Sequence, residues 1–96
     1  TDIFGFSGEK QHRVKLLLGR LAMRILMEEF GVEEHRFIIH DDSHWLIALQ
    51  VCSYQGVGRF VMGLIRDIDI IDSPDFVAYL RGDLNILTEK LDRRMD

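Results

Sequence analysis

The sequence predicts an α+β fold, with strands and helices in the order β-α-β-β-α-β, closed by one more helix. Three observations carry this prediction. Short stretches with apolar residues at every second position alternate with stretches whose apolar residues recur every three or four. Turn-forming residues fall between them: Gly19, Gly31, Asp41-Asp42-Ser43 and Ser73-Pro74. The chain has 96 residues, 47% of them apolar, which supplies one packed core and not two.

Residues 1–12 read as an entry segment from a preceding domain, and residues 13–96 as the folded domain. Gly5, Ser7, Gly8 and Glu9-Lys10-Gln11-His12 show no periodicity. Ile3, Phe4 and Phe6 are too apolar for a free linker and should dock, for instance on a neighbouring domain. Residues 13–18 form a strand, with Val14, Leu16 and Leu18 on one face and Arg13, Lys15 and Leu17 on the other. Residues 21–30 form a helix whose stripe is Leu21, Ala22, Ile25, Leu26 and Phe30. Gly31 stands where a left-handed cap is wanted. Glu28, Glu29, Glu33 and Glu34 crowd that end, where the helix dipole disfavours acids.

Residues 36–40 and 45–54 form two strands joined by Asp41-Asp42-Ser43, hence a hairpin. In the longer strand Trp45, Ile47, Leu49 and Val51 are the bulkier alternate set and should face the core. Residues 56–64 form a second helix, softened by Gly58 and Gly63 at about 1 kcal/mol each relative to Ala. Residues 68–71 form the fourth strand. Ser73, Pro74 and Asp75 open a third helix as cap, first residue and first-turn acid. Its stripe is Phe76, Leu80, Leu84, Leu87 and Leu91, with Gly82 as a soft spot. The polar end Asp92-Arg93-Arg94-Met95-Asp96 should fray. Two right-handed βα crossovers around a hairpin define a ferredoxin-like antiparallel sheet, here with an added C-terminal helix.

Both crossover helices should cover one sheet face and leave the other open. Strand phase assigns to the open face Arg13, Lys15, Leu17, Arg36, Ile38, His40, Leu46, Ala48, Gln50, Cys52, Asp69 and Ile71. That mixture is half apolar and half polar or charged. The ordinary reading is a solvated sheet face, or one covered by the third helix or a partner. The functional reading is a ligand face, on which Arg13, Lys15, Arg36 and Gln50 supply the contacts. Residues 10–24 hold Lys10, Arg13, Lys15, Arg20 and Arg24 and no acid, so a local basic stripe exists on an acidic chain. No aromatic side chain falls on that face, which argues against base stacking of the RNA-recognition type.

Composition closes off several classes. One Cys permits no internal disulfide and fits a reducing compartment, so a cytoplasmic location is expected. No apolar run approaches the ~18–20 residues that span a bilayer, and no membrane role is expected. A net charge of −4 makes a poor self-sufficient binder of duplex DNA. Thr1-Asp2-Ile3-Phe4-Gly5 has neither the basic n-region nor the apolar h-region of a signal peptide, and none is expected. The missing initiator Met fits either Met removal or a piece of a longer protein. His40-Asp41-Asp42-Ser43-His44 carries metal-ligand residue types but reads better as a turn, and Gly56-Val57-Gly58 lacks the rest of a dinucleotide fingerprint. Cys52 reads as an inert strand thiol and Trp45 as a core anchor. No catalytic residue, metal ligand or cofactor is expected.

The second half of the chain resembles a known family. Phe60-Val61-Met62-Gly63-Leu64, Ile68-Asp69-Ile70-Ile71, Ser73-Pro74-Asp75-Phe76 and Tyr79-Leu80 are similar to the C-terminal extension domain of WYL-domain transcriptional regulators. Arg13-Val14-Lys15-Leu16 and Asp2-Ile3-Phe4-Gly5 fit the junction after a WYL domain. The resemblance implies a bacterial regulator with a winged helix-turn-helix, a WYL domain and this extension, the first two lying outside this chain. It implies dimerisation, help in effector sensing, and DNA contact only through the helix-turn-helix. The WYL ligand residues lie outside the chain, and none is carried over. The alternative from residues alone is a direct sensor of an anionic small molecule or short oligonucleotide.

Overall fold

The computed structural model describes residues 1–93; positions 94–96, where the frayed end was expected, lie outside the described residues. The elements are β1 (His12–Leu18), α1 (Arg20–Glu28), a 3₁₀ turn (Glu34–Arg36), β2 (Ile38–Asp41), β3 (His44–Val51), α2 (Tyr54–Gly63), β4 (Ile68–Ile71) and α3 (Pro74–Asp92). The sheet order is β2-β3-β1-β4, with every neighbouring pair antiparallel. This is the ferredoxin-like arrangement, and the C-terminal helix is present.

Alternation along β1 builds the core. Val14, Leu16 and Leu18 have no exposed surface. In register they face Leu49, Ile47 and Trp45 of β3, while Leu16 and Leu18 face Ile70 and Ile68 of β4. Ala22 and Leu26 of α1, Val57 and Val61 of α2, and Phe76 and Leu80 of α3 close the layer above them. Burying one Leu of this kind stabilises by roughly 1.5–3 kcal/mol. Leu21, which the stripe placed inward, is 55% exposed. It lies about 100° around the helix from Ala22, beside the 63–67 segment that leads into β4.

The first helix is capped from a distance. Gly19 has no side chain to cap α1, and no cap bond comes from that position. The Asp67 carboxylate accepts instead from the Ala22 N–H at 2.7 Å, and the Asp67 carbonyl accepts from the Gly19 N–H at 2.8 Å. A β-carbon at Gly19 would overlap that carboxylate. At the other end Gly31 does take the left-handed conformation, φ +67°, and the Val32 N–H then reaches the Leu26 carbonyl at 3.0 Å. The acids are less crowded than their spacing implied. The helix ends at Glu28, which pairs with Arg24 at 3.6 Å, and Glu33 and Glu34 fall beyond it.

Several boundaries and one cap differ from expectation. The second strand begins at Ile38 and not at Arg36, because the Arg36 and Phe37 N–H groups bond to the Glu33 and Glu34 carbonyls and so are lost to the ladder. The third strand stops at Val51 because the Ser53 hydroxyl accepts from the Gln55 N–H at 3.1 Å and starts α2 at Tyr54. Ser73 stands at the start of α3, as expected, but does not cap it. Its buried hydroxyl accepts from the Lys15 N–H at 3.0 Å and donates to the Ile71 carbonyl at 2.8 Å, tying the end of β4 to β1.

The entry segment docks on this same domain. Phe4 packs against Phe30 and Phe60, with ring centroids 5.1 and 5.8 Å apart. Gly56 leaves the room, since a β-carbon there would collide with Phe4. The Asp2 carboxylate accepts from the N–H groups of Phe4, Phe6 and Cys52 at 2.8 to 3.0 Å.

Asp67→Ala should cost about 1–2 kcal/mol in urea unfolding, the worth of a helix cap. Gly19→Ala should cost at least as much, and the double variant less than the sum, because removing the carboxylate makes room for the new methyl. For Asp2, burial pushes the carboxyl upward, but the N–H groups of Cys52, Phe6, Phe4 and Ser53 outweigh it and hold it below the ordinary 3.8. A depressed carboxyl contributes stability above the unfolded value and loses it as the pH falls through the folded one. The urea midpoint of Asp2→Asn should therefore lie below wild type near neutral pH, with the gap narrowing as the pH drops below 3.8.

Candidate functional site

Register sets which side chains share the open face, because directly opposed residues of antiparallel strands point the same way. Arg13 lies opposite Gln50, Lys15 opposite Ala48 and Ile71, and Leu17 opposite Leu46 and Asp69. Ile38 of the edge strand lies opposite Leu46. The face thus carries an apolar row, Ile38-Leu46-Leu17, ending at Asp69. A second row is Ala48-Lys15-Ile71, and the pair Gln50-Arg13 follows. Arg13, Gln50, Asp69 and Ile38 are all exposed, so no element among the described residues lies over the face. The third helix, one candidate for covering it, packs against α2 and the core instead.

Arg13, Lys15 and Gln50 are brought together on this face as the strand phase predicted. Arg36 reaches it differently. Its backbone is in the 3₁₀ turn, and its guanidinium donates to the Ala48 carbonyl at 2.8 Å. β2 pairs with β3 only as far as Leu46, so Ala48 sits on a bare edge, and the Arg36 side chain takes the place of a missing strand. One face of its fork is therefore already used. Lys15 comes within 3.9 Å of the Asp72 carboxylate, with both groups in water's reach, and such a pair is worth little. Its ammonium remains available to an anion. Asp72 holds φ +46°, the tight corner that turns β4 into α3.

Two residues leave the set. The ladder between β2 and β3 shifts between Ile39 and Asp41, which takes His40 out of the paired positions. Cys52 follows the end of β3, and its N–H is occupied by Asp2. The His40–His44 stretch is a tight hairpin turn. Asp41 accepts from the Ser43 N–H at 2.8 Å and bonds to His44 Nδ1 at 2.8 Å. The Ser43 amide and then His44 hold the Asp41 carboxyl below its ordinary value.

Sequence reading missed a second concavity. An apolar groove of about 460 Å³ lies between α1 and the β2 edge, with Met23, Met27, Phe37, Ile39 and Trp45 as its main lining. It exists because β2 is short and α1 stops at Glu28, leaving the outer strands without a helix above them. Met23 and Met27, four apart beside the main stripe, were its one sequence signal. Trp45, expected as a core anchor, is partly exposed at this groove, with the Arg20 guanidinium 5.8 Å from its ring.

Chemically, the open face offers the cations Arg13 and Lys15, with Arg36 at its edge, one amide and an apolar row. That combination suits an anionic group joined to an apolar body. Because the face is open, Leu17→Ala should cost under ~1 kcal/mol, whereas Leu16→Ala, one residue along on the core side, should cost about 2–5 kcal/mol. Urea denaturation of both variants checks this.

Compared with protein-family models, curated proteins and solved structures, the chain matches none.

Proposed function

We propose that this chain is a regulatory and oligomerisation domain of a bacterial transcriptional regulator, of the kind that follows a WYL domain. In this reading it is cytoplasmic and has no catalytic role. It assists effector sensing, and DNA contact belongs to a helix-turn-helix elsewhere in the full-length protein. The observation that carries the reading is the uncovered sheet face, with Arg13, Lys15 and Gln50 set beside the apolar row Ile38-Leu46-Leu17. A second support is the exposed apolar end of α3.

The second reading, direct sensing of an anionic metabolite or short oligonucleotide, is favoured by the opposition of Arg13 and Gln50 in register. Both readings use the same face, and one titration weighs them. The probe is a single-stranded oligonucleotide of about ten nucleotides, with inorganic phosphate as the small-anion comparison. In the direct-sensing reading the affinity falls with salt at a slope of about −2, the value for three cations on single-stranded DNA. The variant Arg13→Ala/Lys15→Ala/Arg36→Ala should then bind at least tenfold more weakly. Binding by the triple variant equal to wild type would retire the anion face and leave the oligomerisation role, which solution mass tests separately.

A further inference from the structure

Beyond Leu80, α3 leaves the body of the domain while its inward stripe continues. Leu84, Leu87 and Leu91 follow Phe76 and Leu80 at the same spacing of three and four, and are 44%, 43% and 60% exposed. Every residue from Arg81 to Arg93 is exposed. At ~1.5 Å per residue, the stretch from Leu84 to Asp92 projects about 14 Å. A helical end this short is marginal in water unless its apolar side is packed.

We infer that α3 pairs with α3 of a second copy of this chain, in an antiparallel contact about a two-fold axis near Leu84 and Leu87. This rests on the oligomerisation reading above and names its surface. The spacing is that of a coiled-coil seam, with Leu84, Leu87 and Leu91 in alternating core positions that continue the phase of the buried Leu80. Asp83 and Lys90 flank the seam on one side, and Arg81 and Thr88 on the other.

Charge selects the orientation and the register. When Leu84 meets the partner's Leu87, Asp83 lies beside the partner's Lys90, and the two-fold axis repeats the pair. Sliding by one layer, so that Leu87 meets the partner's Leu91, sets Lys90 against the partner's Lys90. A parallel pair sets Asp83 against the partner's Thr88 and forms no ion pair on that flank. The one arrangement with opposite charges on both copies is therefore antiparallel and centred between Leu84 and Leu87. Two helical turns per copy fall below the ~1,200 Å² of a standard stable interface. The dimer accordingly fills at high concentration.

Sedimentation equilibrium of the 96-residue chain from about 10 μM to about 1 mM tests this. The mass should rise from 11.2 kDa toward twice that value. Leu84→Asp, at an exposed position that leaves the fold intact by circular dichroism, should weaken association at least tenfold. Asp83→Lys and Lys90→Asp should each weaken it about fivefold, and the two together should restore it. A wild-type mass of 11.2 kDa throughout would overturn both this pairing and the oligomerisation reading. A dimer that Leu84→Asp leaves intact would overturn the pairing and move oligomerisation to another surface. Loss with Leu84→Asp but no rescue by the charge exchange would overturn the antiparallel register.

Discussion

β4 is four residues long, and a side chain fastens it at each end. Before it, Asp67 caps α1 through the Ala22 N–H and closes on Gly19 through its own carbonyl. After it, the Ser73 hydroxyl bridges the Lys15 N–H and the Ile71 carbonyl. Between these clamps Ile68 and Ile70 are held opposite Leu18 and Leu16. The ferredoxin-like sheet closes on that side through this strand alone. Its four-residue ladder is short, and the two side-chain links extend its grip on β1. They also set where the flanking helices begin, since α1 starts at the capped turn and α3 at the corner after Ser73.

A one-sided helix layer has consequences for the rest of the molecule. α1, α2 and the first turns of α3 use the core face of the sheet and bury Val14, Leu16 and Leu18 completely. The opposite face receives no helix, so the alternating residues of the same strands stay in contact with water. Leu17 and Leu46 are partly exposed there beside Lys15 and Arg13. The same economy leaves the outer strand bare. Ile38 and Ile39 on β2 are 64% and 76% exposed, pointing to opposite sides of the sheet edge. An apolar edge strand of that kind usually needs protection. Here the Arg36 guanidinium shields the adjoining β3 edge by occupying the Ala48 carbonyl.

Much of the candidate face was legible before any coordinates. The two-residue alternation of Arg13, Lys15 and Leu17 against Val14, Leu16 and Leu18 sorted the two faces of β1, and register confirms the sorting. Arg36 was assigned to the open face as a strand residue but sits at the β3 edge, because phase arguments cannot see amides already spent in a 3₁₀ turn. Asp67 gave no local sign of its role, since the Ala22 N–H that its carboxylate caps is 45 residues away in sequence. Ser73 carried a strong local cap signal that the long-range bond to Lys15 overrode. The groove by Trp45 was invisible because it forms between α1 and the β2 edge, and strand and helix periodicity do not say how far apart two elements stand.

Local periodicity by itself determined the order of the main strands and helices and the inward faces of β1, β3 and β4, because side-chain direction follows from backbone geometry over a few residues. It also determined that α3 carries one continuous apolar stripe from Phe76 to Leu91. Only the tertiary structure decided how much of that stripe this domain uses. Phe76 and Leu80 reach the core, while Leu84, Leu87 and Leu91 pass its edge. Periodicity records which side of a helix is apolar, but the span of the sheet beneath it decides where burial ends.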